Sequence, residues 1–160
     1  MRNTYLFLPA IFLALTAPGL GAPNSPAISL KLALLEDSPK VGSEIRLRVT
    51  LTNVTQHPIT IAAGWAEQLY RVDLRDDSGK PVAKKQYFKF GSLWNIDIQP
   101  GATQQDNLEL SHMYILTRSG TYVVQVSRKS GHEPGVGTED AKSNVLIINI
   151  EPKETTDNAK

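Results

Sequence analysis

From Ala27 onward apolar and polar residues alternate with a period of two, and no stretch sustains a helical period. Ile28, Leu30, Leu32 and Leu34 share one face of a first strand. Ile45, Leu47, Val49 and Leu51 then point one way, while Glu44, Arg46, Arg48, Thr50 and Thr52 point the other. Strict alternation of this kind predicts an antiparallel strand with one wet face. Ile59-Thr60-Ile61 opens a short third strand. Tyr70, Val72 and Leu74 form a fourth, closed by the turn residues Asp76-Asp77-Ser78-Gly79, and Pro81-Val82-Ala83 begins the return. Trp94, Ile96 and Ile98 alternate until Pro100-Gly101. Leu108 and Leu110 continue the next strand, and Ser111–Ser119 connects it to Tyr122, Val124 and Val126. Ser130–Ala141 is expected to be a long polar loop. Leu146, Ile148 and Ile150 end the domain, with Val145 and Ile147 giving the last strand a second apolar face that ought to be covered. About eight short strands punctuated by turn signals predict an all-β fold, an antiparallel β-sandwich of about 7–9 strands.

The first twenty-one residues read differently. Arg2 is the only charge before Lys31, and the apolar run Tyr5–Leu15 is followed by small and helix-breaking residues, Thr16 to Gly21. This is the pattern of an export signal cleaved after Gly21. Its eleven-residue apolar run would rise only ~16 Å as a helix, against a hydrocarbon core of ~30 Å. Residues 1–21 are therefore read as a signal peptide, 22–152 as one β-sandwich domain and 153–160 as a disordered charged tail. No transmembrane segment is expected after cleavage. The mature protein would work in the periplasm or be secreted, and an export route without cysteine fits a bacterial envelope.

Composition narrows the chemistry. With no cysteine in 160 residues there is no disulfide and no thiolate ligand. Seventeen basic residues less Arg2 leave sixteen, matching the sixteen acidic ones. A formally neutral domain lacks the electrostatic footprint for nucleic acid or anionic lipid. Asn53-Val54-Thr55 matches the N-glycosylation acceptor pattern. His57, His112 and His132 lie in separate predicted loops, with no second histidine or cysteine at ligand spacing. His132-Glu133 with Glu139-Asp140, and His112-Met113, read as solvated loop residues before they read as ligands. No catalytic, metal or cofactor motif is present, and the chain is expected not to be an enzyme.

Gly120-Thr121-Tyr122-Val123-Val124 resembles the start of the penultimate strand of an immunoglobulin-type sandwich. There a tyrosine two residues before a core cysteine ties its hydroxyl to the chain just upstream. On this resemblance Tyr122 is the tyrosine, and Val124 fills the cysteine's place without a bridge. The order Val49-x-Leu51-Thr52-Asn53, Tyr70-x-Val72-x-Leu74-x-Asp76 with Gly79, Pro100-Gly101, Gly120-x-Tyr122 and Ser143-Asn144-x-Leu146 resembles small exported bacterial immunoglobulin-like domains. A more distant likeness is to the bacterial intracellular proteinase inhibitor family. Ala63-Gly64, Tyr70-x-Val72, Asp76-x-x-Gly79, Phe88, Pro100-Gly101 and Gly120-Thr121-Tyr122 run in similar order, although Lys84-Lys85 replaces the tryptophan-serine pair expected after the hairpin.

The candidate site is aromatic. Lys84–Trp94 holds four of the chain's eleven aromatic residues among three lysines. Phe88 and Trp94 share strand parity and fill the sandwich on one reading. On the other, Trp65, Tyr87, Phe88 and Trp94 present rings at the surface, where they supply contact area with few rotors to freeze. The expectation is an exported, non-enzymatic interaction module that recognises a protein or envelope component by a loop end or a sheet edge. The alternatives are a protease inhibitor, using Ala62–Gln68 or Ser130–Ala141 as its loop, and a carbohydrate-binding domain using Trp65, Tyr87 and Trp94.

Overall fold

The computed structural model describes residues 26–86, 91–129 and 140–153. Residues 1–25, including the expected signal peptide, Tyr87 and Phe88, residues 130–139 with His132, Glu133 and Glu139, and the tail from 154 lie outside the described residues. Within them the chain is an immunoglobulin-like antiparallel β-sandwich. One layer has the order β1 (Ile28–Leu34), β2 (Arg46–Asn53), β6 (Thr103–Glu109). The other is built on β7 (Gly120–Lys129). β4 (Arg71–Asp76) pairs with one edge of β7, and β8 (Asp140–Lys142) and β9 (Leu146–Ile150) pair with the other. A separate ribbon, β3 (Ile59–Ala63) against β5 (Trp94–Ile98), crosses one end.

The alternation predicts this directly. Leu30 and Leu32 of β1, with Leu47, Val49 and Leu51 of β2, are buried against Val72, Leu74, Val124, Val126 and Ile148. Val124 is fully buried between the layers, so an aliphatic side chain occupies the space a disulfide would. The Tyr122 hydroxyl donates to the Arg118 carbonyl at 2.9 Å, the tie expected of the tyrosine.

The layers are stitched where their edges approach. Asn144 accepts from the Leu32 N–H (2.8 Å) and donates to its carbonyl (3.2 Å), pairing with β1 as a strand would. Val41 N–H donates to the Glu151 carbonyl and Glu151 N–H to the Pro39 carbonyl, so the chain beyond β1 crosses to the second layer. Between β8 and β9 Ser143 answers Val126 twice, donating its N–H (2.9 Å) and accepting from the Val126 N–H at Oγ (3.1 Å).

Four expectations need correction. Asp140 and Ala141, assigned to a loop, belong to β8, because the register with β7 recruits them. Leu110 begins α2 (Leu110–Met113), a single helical turn, instead of continuing β6. Residues 81–83 make one bridge, Arg75 to Pro81, and no full return strand. The outer face of β9 is not covered by the described residues: Ile147 stays 62% exposed beside Val123.

Candidate functional site

At the end of the molecule where β4 begins, three segments converge. β3 runs out at Ala63, and α1 (Ala66–Leu69) makes one helical turn. Residues 91–94 return alongside. Two glycines permit the approach. A Cβ at Gly64 would overlap Leu93, and one at Gly91 would overlap the Trp65 indole. Leu93 thus lies against Gly64 and the Trp65 indole against Gly91, and on these adjoining segments Trp65, Leu93 and Trp94 are 45%, 57% and 56% exposed respectively.

Trp94 therefore does not fill the sandwich. It lies opposite Ala63, on the face it shares with Ile96 and Ile98. Burial declines along that face, from Ile98 inside, to Ile96 half-buried, to Trp94 in solvent, because the ribbon runs past the end of the core.

Beneath these segments is a polar chain of side chains joining the two layers. Tyr70 donates its hydroxyl to Asp106 Oδ2 at 2.7 Å. Arg128 donates from Nη1 to the Tyr70 oxygen at 3.3 Å and from Nη2 to the Ala62 carbonyl on β3. Burial first, and the Asp106 hydrogen bond second, hold the Tyr70 hydroxyl well above the ordinary tyrosine range. It therefore stays protonated at neutral pH and serves as a donor, which suits a strut and not a base or nucleophile. Among the described residues no buried side-chain polar atom lacks a partner.

A cleft of ≈ 310 Å³ opens between α1 and β6, walled by Trp65, Glu67, Asn107, Leu108 and Glu109. A second, of ≈ 250 Å³, lies behind the same loop, between Leu93, Leu69 and Arg128. A larger depression of ≈ 410 Å³ sits at the opposite end, around Asp76, Pro81 and Tyr122, where no exposed tryptophan borders it. Size alone would choose that depression; the exposed rings and Leu93 choose the other end.

Of the four site residues read from sequence, Trp65 and Trp94 are exposed on these adjoining segments, and Tyr87 and Phe88 lie outside the described residues. Leu93 and the Asp106–Tyr70–Arg128 chain were missed. The available signal was parity: Asp106 continues the inward face of Leu108, and Arg128 that of Val124 and Val126. A charge that keeps core parity marks a buried polar site. His112 Nε2 sits 2.8 Å from Glu109, His57 is an exposed turn residue, and Asp140 faces Arg71 at 3.4 Å. No group of three potential metal ligands occurs among the described residues. No described helix is long and apolar enough to cross a membrane.

Asn53 cannot carry a glycan in this fold. It is wholly buried, and its amide donates to the carbonyls of His57 and Ile98, both at 2.9 Å.

Neither a protein-family profile nor a curated protein sequence matches the chain. Among solved structures, it is similar to the CARDB domain of the PF1109 protein from Pyrococcus furiosus. That similarity has a TM-score of 0.48 at 10% identity, over 82% of this chain and 99% of that one. A β-glucosidase from Listeria innocua gives 0.44 at 16% identity, over 79% of this chain but 16% of the enzyme. Likenesses this faint carry nothing about chemistry from those proteins to this one.

Proposed function

We propose that this protein is an exported, non-enzymatic binding module that recognises a protein partner through its tryptophan-bearing end. One observation carries the reading: both tryptophans of the chain and Leu93 stand 45% or more exposed on adjoining segments, which we take as one patch. Large rings on a braced ribbon lose little entropy on binding, which is why such residues anchor interfaces. The Asp106–Tyr70–Arg128 chain fixes the patch relative to both layers. Export rests on Arg2, the Tyr5–Leu15 run and the small residues up to Gly21.

The inhibitor alternative loses its first candidate loop, because residues 66–69 form a helical turn where an inserted reactive loop would be extended. Carbohydrate stacking uses the same rings and is the second reading; unchanged tryptophan emission across a glycan panel removes it.

The test is site-specific photo-cross-linking in the native cell, with the photo-reactive residue at Leu93 and, as control, at Asp77 on the opposite end. A reproducible protein adduct from position 93 and none from 77 is the expected result. Equal capture from both positions, or none from 93, refutes the reading.

A further inference from the structure

We infer that the outer edge of β6 receives an extended segment of the partner by strand addition, and that this segment carries a lysine or arginine flanked by apolar residues. The inference rests on the functional reading above and specifies its chemistry. The hydrogen-bond phase of β6 is fixed at both ends. Leu110 N–H donates to the Ile45 carbonyl, and Asn53 N–H donates to the Ala102 carbonyl. In an antiparallel ladder this turns the even-numbered residues of β6 toward β2 and the odd-numbered ones outward. Gln105 and Asn107 thus direct their N–H and C=O groups away from β2, into the cleft that Trp65 walls. Among the described residues β6 has no strand on this side. Among the described residues the outward Gln105 carbonyl accepts a side-chain amide, from Gln104 at 3.3 Å, which a strand can displace.

A chain added about 4.8 Å from β6 would bond to these groups and send alternate side chains toward the exposed Trp65 indole. The cleft's charge decides which side chains. Glu67 is half-buried and makes no ion pair among the described residues, and Glu109 lies at the other end beside His112. The one arginine of the cleft, Arg46, is held by Glu36 at 2.8 Å. Asp106 faces inward and is engaged by Tyr70. The uncompensated charge is negative, so a cation is favoured.

The probes are blocked octapeptides of alternating valine and threonine with one central lysine, or glutamate in its place, titrated into the intact chain. Gln105→Pro removes one outward N–H at the kind of edge position where sheets accept proline, leaving the β2 ladder intact. Circular dichroism checks its fold. Amide exchange of Gln105 and Asn107 in the unmodified protein gives a readout that does not depend on this variant. The lysine peptide is expected to bind, the glutamate peptide at least about tenfold more weakly, and Gln105→Pro to cost at least about tenfold. The Gln105 and Asn107 amides should become protected in the complex. Unprotected amides, an unaffected Gln105→Pro, or protection arising from self-association without peptide each overturn strand addition. If any of these occurs while Leu93 still captures its partner, the tryptophan face stands and only the edge is refuted. Loss of capture at Leu93 refutes the face itself.

Discussion

Asn53 is the residue on which most local geometry converges. Its side chain donates to His57 and Ile98 and accepts from the Thr55 N–H (2.9 Å) and hydroxyl (2.8 Å), while its own backbone N–H reaches Ala102. One amide thereby sets the β2–β3 turn and the end of β5. Asn53→Ala takes its donor from the buried Ile98 carbonyl, while the His57 carbonyl keeps the Thr55 hydroxyl, and should cost about 2 kcal/mol in urea unfolding. The tyrosines give a second prediction. Burial first, then the nearby Asp73, pushes Tyr114 up to about 12, and Tyr70 and Tyr122 are raised as well. A raised folded pKa means that the folded state keeps its proton. The stabilisation is complete below about 10, the ordinary tyrosine value, and is lost as pH climbs through the folded values. Phenolate absorbance should therefore show these three ionising late and together with alkaline unfolding. Titration of all tyrosines near 10 in folded protein would contradict their placement.

At the scale of elements, strands with apolar inward faces were legible and the others were not. β1, β2, β4 and β7 could be read residue by residue, because Leu30, Val49, Leu74 and Val124 repeat at period two among polar neighbours. The first half of β6 was invisible, since its inward positions include Gln104 and Asp106 in place of apolar residues. β8 was hidden because three residues paired only by register carry no pattern of their own. Single-turn helices are too short to have a period. Parity gave the face of Trp94 but not the point where the core stops, so its exposure could not be read. The strut that replaces apolar packing here makes its own prediction. Arg128→Met strands the Ala62 carbonyl and leaves the Asp106–Tyr70 pair without its cation, and should cost about 3 kcal/mol. Asp106→Asn keeps an oxygen for the Tyr70 hydroxyl and should cost about 1 kcal/mol or less. Equal losses in the two variants, measured by denaturant midpoint at fixed slope, would show that the guanidinium does not join the layers.

For the whole molecule, the two layers close on each other along one side through Asn144 and the Pro39–Val41 crossing. On the other side the α1 turn stands across a cleft from β6, leaving that edge open, and Trp65 lies at its start. The half of the proposed face that was read from sequence, Trp65 and Trp94, depends on chemistry visible in single residues. The half it missed, Leu93 and the outward edge of β6, depends on which segments become neighbours. Both tryptophans stand in the proposed face, so the unlabelled protein reports on it. The most direct measurement is acrylamide quenching of intrinsic fluorescence, in the isolated protein and again in complex with the partner captured at Leu93. Strong quenching in the isolated protein that falls on complex formation is the predicted result. Emission already shielded in the isolated protein, or quenching unchanged in the complex, would contradict a tryptophan-bearing binding face.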